Sequence, residues 1–190
     1  IGYEVVCCIT VYEPGPPGPV LGTNKGLPLY GTDWFAVFKR FDLKHYVEDL
    51  GVREVWLWGS GVDPSFPCYD PKLHTPDKLR GGWESNMSSP TTGDVSNSNR
   101  DNGDLPIYSH TYVVYGQNIR RSHSEAIENH GHQLEAILSY VDRLDSGPDV
   151  FWPRFVGQDD EGHFTKGRCG CVHFPPNGES DYDWGNMTPV

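Results

Sequence analysis

Residues Ser122 to Asp142, SHSEAIENHGHQLEAILSYVD, constrain this chain more than any other stretch. At 3.6 residues per turn, Ile127, Leu134, Ile137, Leu138 and Val141 fall on one side, while Glu125, Glu128, His132 and Glu135 fall on the other. Ser122 followed three residues later by Glu125 makes a capping box. The pattern predicts a long helix whose apolar side faces a core and whose polar row faces away from it.

That polar row carries candidate chemistry. Glu128 stands one turn before His132 and Glu135 three residues after it, so the three side chains can converge above one face. His-x-x-Glu on a helix is a metal-ligand spacing of carboxylate-rich sites, whereas the His-Glu-x-x-His of zinc peptidases is absent. The bland alternative is a solvated acidic face with no chemistry at all. His123 and His130 fall on the apolar side, where a hydrogen-bonded core histidine is the simpler expectation.

Around this helix, strand-like and helix-like runs alternate. Glu4 to Tyr12 is a β-branched run that reads as a strand covered on both faces, and Pro and Gly then punctuate residues 13–28 so densely that regular structure is not expected there. Asp33 is an N-cap for a helix reaching Leu50, with Gly51 as its C-terminal stop. Val52–Trp58 and Ile107–Tyr115 read as further strands, and Asp149–Gly157, interrupted by Pro153, as an edge strand. Residues 59–107 form a long irregular stretch suited to a lid or binding loop. The alternation predicts one α/β domain over residues 1–190: an open, mainly parallel sheet flanked by helices, with long irregular loops. In such sheets ligands sit at the carboxyl ends of the strands, which here offer Gln117 and Asn118.

Charge narrows the partners. With 15 Lys and Arg against 26 Asp and Glu, the formal charge is −11, so nucleic acid and anionic membrane surfaces are excluded as partners. No apolar run approaches the roughly 20 residues that span a bilayer. Six Trp, ten Tyr and eight Phe beside 22 Gly and 16 Pro describe a loop-rich chain with many flat aromatic surfaces, suited to sugars or extended polymers and shared by secreted disulfide-stapled proteins. Asn86-Met87-Ser88 and Asn186-Met187-Thr188 are N-glycosylation sequons. Five cysteines leave at least one unpaired within the chain, and Cys68 is the natural disulfide partner for Cys169 or Cys171 in an oxidising compartment.

The C-terminal third holds the remaining candidates. If Cys169 to His173 is extended, Cys169, Cys171 and His173 share a face that suits zinc. His173 leads into FPPNG, a rigid turn that presents it together with Asn177. Asp181-Tyr182-Asp183-Trp184 can bind a sugar ring, or calcium through its oxygens, or lie on the surface as an acidic loop. No Gly-x-Ser-x-Gly elbow, Walker loop or Gly-x-Gly-x-x-Gly is present, which removes esterase, nucleotide and nicotinamide readings.

EVWLWG at 54–59, ESNM at 84–87, GDVSNS at 93–98, GHQLE at 131–135, HFPPN at 173–177 and DYDW at 181–184 together resemble segments of a family of secreted bacterial and fungal proteins without an assigned activity. The resemblance implies that Glu84, His132, Glu135, His173, Asn177 and Asp183 are the positions of interest, and that the chain continues beyond Val190.

These readings converge on a secreted hydrolase of an extracellular polymer, above all a glycan. Either a divalent metal, zinc or calcium, held by His132, Glu135 and His173 activates water, or carboxylates including Glu128 form an acid/base pair beside the histidines. Glu84, Gln117, Asn118, Asn177, Asp183 and Trp184 would then bind the carbohydrate or other polymer. Two alternatives remain: a carbohydrate-binding surface protein without catalysis, and a metallopeptidase-like hydrolase.

Overall fold

A computed structural model of the chain describes residues 2–12, 16–24, 27–59, 85–97, 103–118, 123–145, 149–159, 161–165, 167–180, 182–183 and 185–189. The elements in order are β1 (Pro17–Asn24), β2 (Leu27–Thr32), α1 (Trp34–Arg40), α2 (Leu43–Glu48), β3 (Glu54–Gly59), β4 (Ser85–Ser88), β5 (Tyr112–Asn118) and α3 (His123–Leu144), followed by one π-helical turn, Phe151–Val156. The chain divides into two compact units, Ile1–Asn129 and His130–Val190, and α3 runs unbroken through the division.

In the first unit the sheet is mixed α/β but not open and mainly parallel. It has three strands in the order β3-β5-β4, with β3 parallel to β5 and β4 antiparallel to it. The register pairs Val55 and Asn86 with Val114 from opposite sides, so Val55, Val114 and Asn86 share one face. The helices α1 and α2 cover that face: Trp34, Val37 and Phe38 of α1 and Leu43 and Val47 of α2 join Leu105, Tyr112 and Val114 in one core.

The helix expected over 34–50 breaks in two for a reason visible in its apolar spacing. Trp34, Val37, Phe38 and Phe41 keep one phase, while Leu43, Tyr46 and Val47 keep another. Asp42 absorbs the slip in a left-handed conformation, φ 50°, which turns the second helix so that Leu43 and Val47 also face inward. The α1 N-terminus is capped as expected, the Asp33 carboxylate accepting the Ala36 N–H at 2.9 Å.

Three other expectations fail in the first unit. Residues 17–32 form a hairpin despite their prolines, with bulges between Pro17 and Gly22; a two-stranded ribbon is all edge, where a missing N–H costs little. Glu4–Tyr12 belongs to no strand: it stays exposed, held at Tyr3, whose hydroxyl donates to Glu54 at 3.2 Å and whose ring meets Trp56 edge-on. A β-branched run stabilises a strand only through neighbours to pack against, and this one has few. The strand expected over 107–115 starts later, at Tyr112, because Ser109 is bent away and its N–H and hydroxyl both donate to the Glu48 carboxylate.

In the second unit Phe151, Val156 and Phe174 form a small core with Trp152, Phe164 and Cys171 against it. The Phe164 and Phe174 rings stack at 3.8 Å. The expected edge strand over 149–157 is instead the π-helical turn, closed by Phe155 N–H to Val150 O at 3.1 Å and Gly157 N–H to Trp152 O at 2.8 Å. Pro153 sits in its first turn, where an N–H would lack an intrahelical acceptor anyway. The Asp142 carboxylate caps this turn, accepting the Val150 and Phe151 N–H groups at 2.7 and 2.8 Å.

The Phe151 N–H, with the Asp149 side chain and the Val150 N–H, holds the Asp142 carboxyl below its ordinary value of 3.8. A carboxyl with a depressed folded pKa stabilises the fold while ionised, above 3.8, and loses that contribution as pH falls through the lower folded value. Thermal melts taken down to about pH 2.5 should therefore show Asp142→Asn less stable than the parent at neutral pH, with the gap closing in acid. A gap independent of pH would mean that the capping charge is irrelevant.

The long helix departs most from expectation. It buries its polar side, Glu125, Asn129, His132, Gln133 and Ser139, together with the small Ala126 and Ala136, and leaves the apolar side exposed. Small residues let the helix approach closely, and each buried polar group then needs a partner. Asn129 is one that has them, its amide donating to Gly116 O and Gln117 Oε1, both at 2.8 Å. Gly131 marks a close approach of the helix to the second unit's loop: a Cβ there would lie 2.4 Å from Val172 Cγ2. Gly131→Ala should therefore destabilise by about 1–3 kcal/mol by overpacking, against the roughly 1 kcal/mol that Ala normally gains in a helix. Adding Val172→Ala should recover the loss in denaturant titrations, and a stabilised single variant would refute the close contact.

Candidate functional site

The polar side of α3 brings His132 and Glu135 together with the loop that carries His173. His132 is 8% exposed, and its Nδ1 lies 3.0 Å from Glu135 Oε2. The other carboxylate oxygen, Oε1, accepts the Val172 N–H at 2.6 Å. The His132 and His173 rings meet edge to face at 4.6 Å, and His173 in turn stacks on Tyr182 at 4.1 Å, with Nε2 3.0 Å from the Tyr182 hydroxyl.

Burial pulls the Glu135 carboxyl upward, but the hydrogen bonds from His132 and the Val172 N–H, the His132 charge and the Cys171 thiol together outweigh it, leaving the group below its ordinary range. Glu135 is thus an anion that accepts from three directions. An ionised carboxylate only accepts, so His132 must carry its proton on Nδ1 and, when neutral, its lone pair on Nε2. Cys171 is the converse case: burial, with the Glu135 charge adding to it, pushes its thiol up to about 11, so it is a neutral donor and not a thiolate ligand.

Glu128 stands on the preceding turn of the same helix, where helix geometry sets its place relative to His132. One ligand atom from each of Glu128, His132 and His173 lies within 4.8 Å of the others. Atoms bound to one tetrahedral zinc ion at roughly 2.0–2.2 Å stand about 3.3–3.6 Å apart, so a pair at the full separation would have to close by about 1 Å to grip an ion. Two imidazoles and one carboxylate suit zinc better than calcium, which takes oxygens almost exclusively. Glu135 differs from the expected ligand role: its oxygens already hold His132 and Val172.

The other expected residues lie apart from this group or serve the loops. Glu84 and Trp184 lie outside the described residues, as does Cys68. Gln117 is buried in β5 beside Asn129, and Asn118 ends that strand. The Asn177 amide donates to Asn186 O and Thr188 O at 2.7 and 2.8 Å, and Asp183 Oδ2 accepts from Glu179 N–H and the Asn186 amide, so both tie the C-terminal loop together. Cys169 to His173 is a tight turn, with Cys171 N–H donating to Phe174 O at 2.8 Å, so the alternating face expected for an extended run does not form. Cys7, Cys8, Cys169 and Cys171 are free thiols, so the bridge expected at Cys169 or Cys171 is not present. Of the two sequon asparagines, Asn86 is fully buried in β4, and the half-buried Asn186 donates its amide to Asn177 O and Asp183.

One residue of the cluster escaped sequence reasoning: Val172 acts through its backbone N–H, which no side-chain pattern encodes. Tyr182 was legible as part of a sugar-binding loop but not as the partner of His173, nine residues away with no periodic signal linking them. No helix among the described residues is long and apolar enough to cross a membrane. Comparison with protein-family models, curated proteins and solved structures finds no match.

Proposed function

We propose that the chain is a metal-assisted hydrolase in which His132, His173 and Glu128 hold a zinc ion, and Glu135 orients His132 as the outer partner of a carboxylate–histidine–metal triad. The observation that carries the reading is the buried His132–Glu135 pair at 3.0 Å with the His173 ring packed against it. A zinc ion with three protein ligands and an open fourth position lowers the pKa of bound water and polarises a carbonyl or similar oxygen. The paired-carboxylate route is disfavoured because Glu135 is held ionised, and a general acid must arrive protonated. For the substrate we infer an extracellular glycan: Tyr182, exposed beside His173, offers a sugar-stacking face, and a net charge of −11 favours neutral or cationic polymers.

The test begins with the ion. Chelator-treated protein titrated with zinc should bind one equivalent by calorimetry, and His132→Ala and His173→Ala should each abolish that binding while leaving the circular dichroism spectrum unchanged. Zinc-loaded protein should release reducing ends from a neutral polysaccharide and leave casein intact. Undiminished zinc binding in both variants would refute the metal site; zinc-dependent cleavage of casein instead of glycan would transfer the site to a peptidase.

A further inference from the structure

The exposed side of α3 is an apolar feature that the proposed site does not use. Ile127, Leu134, Ile137, Leu138, Val141 and Leu144 run along one face, exposed by 38% at Ile137 to 71% at Ile127. Single exposed leucines mean little, but a contiguous apolar strip of this length marks an interaction surface. Its spacing identifies the partner's shape. Ile127, Leu134 and Val141 repeat every seven residues, and so do His130, Ile137 and Leu144 three positions further on, the a and d positions of a heptad that packs against another helix. Of the flanking positions, Ser124, Ala126, Gly131, Gln133 and Tyr140 are uncharged and the one acid, Asp145, stands at the C-terminal end, although the chain as a whole carries −11. A strip whose one flanking acid lies at its end can meet its own copy in antiparallel order with the two Asp145 side chains held apart.

We infer that α3 is a homodimer interface, packed antiparallel against α3 of a second copy across a two-fold axis between Leu134 and Ile137. Antiparallel pairing sets a against d: Ile127 opposite Leu144, Leu134 opposite Ile137, and Val141 opposite His130, each match occurring twice by symmetry. It also places His130 near the acidic end of the partner helix, Asp142 and Asp145, whereas a parallel pair would stack His130 on its own copy. Covering the strip in both copies removes about 1,000 Å² in all, at the lower edge of what specific dimers bury. The inference is independent of the proposed chemistry, since the metal-binding side of α3 faces the other way.

Sedimentation equilibrium decides it. The parent protein at about 50 µM should sediment at twice its 21.3 kDa chain mass, and Leu134→Glu, on an exposed position, should be monomeric with an unchanged circular dichroism spectrum. The double variant Leu134→Glu, Ile137→Lys should dimerise again, because antiparallel packing sets the new acid of one copy against the new base of the other. A monomeric parent at that concentration, or a Leu134→Glu protein that still dimerises, overturns the interface. Loss of helix content in a monomeric Leu134→Glu would assign the strip to another segment of the same chain and overturn it equally. Failure of the double variant to dimerise, after the single variant has become monomeric, overturns the antiparallel arrangement.

Discussion

Phe174→Ala is expected to destabilise the protein by about 3–5 kcal/mol, the range for emptying a buried aromatic site. Phe174 is 1% exposed, stacks on Phe164, and closes a small core that it shares, among the described residues, with buried Phe151 and Val156. Its backbone also ties the turn, accepting from Cys171 and donating back to it at 3.3 Å. Gly178 stands where a Cβ would meet the ring at 2.9 Å, so the chain beyond has already been fitted to Phe174. His173 is the preceding residue, and the same substitution should weaken zinc binding by loosening the turn that presents it. Against a typical domain stability of 5–15 kcal/mol the loss is large, and guanidinium titration read by tryptophan fluorescence measures it directly. A loss under about 1 kcal/mol would mean that the second core contributes little.

Glu135→Gln is expected to weaken zinc binding by about 10- to 100-fold, the usual effect of removing the carboxylate that orients a ligating histidine. The argument is one of donors and acceptors. Glutamine can offer its oxygen either to the Val172 N–H or to His132 Nδ1, and its amide group then confronts the other donor. If the oxygen stays with Val172, His132 must shift its proton to Nε2, which removes the lone pair from the nitrogen proposed to hold the ion. If the oxygen turns to His132, the Val172 N–H loses its acceptor, at about 1–3 kcal/mol of stability. Calorimetry with zinc and nitrogen NMR of the His132 tautomer separate the two outcomes. Glu161→Gln, at an exposed loop position, is the control. Equal affinity in the two variants would sink the orienting role of Glu135.

The existence of α3, the grouping of its polar residues and the importance of His173 were legible because helical periodicity places side chains by arithmetic. What periodicity does not decide is which face turns inward. Asn129 and His132 are buried, and Glu135 half-buried, because Gly116 O, Gln117 and the Val172 N–H are positioned to satisfy the group, and those partners come from segments distant in sequence. The parallel pairing of two strands was also within reach, since Val52–Trp58 and Ile107–Tyr115 overlap the strands that form. The register of the second was not, because its start depends on Glu48 holding Ser109 out of line. Residues 149–157 misled for a similar reason: their apolar content fits an edge strand, and only the Asp142 carboxylate seven residues away turns them into a helical turn.

The central place of β5 sets the order in which the first unit can loosen. Among the described strands it alone has a neighbour on both sides, β3 over Val113–Asn118 and β4 over Tyr112–Tyr115, while Tyr112 and Val114 are sealed by α1 and α2. Opening it requires two ladders and a core to separate in one event, so its amides exchange with solvent only through something close to global unfolding. The loops 89–97 and 103–111 are held by side-chain ties such as Ser85 to Asn97 and Ser109 to Glu48, each of which can release alone. The unit therefore breathes from its loops inward, with a single seven-residue strand as the last element to give way.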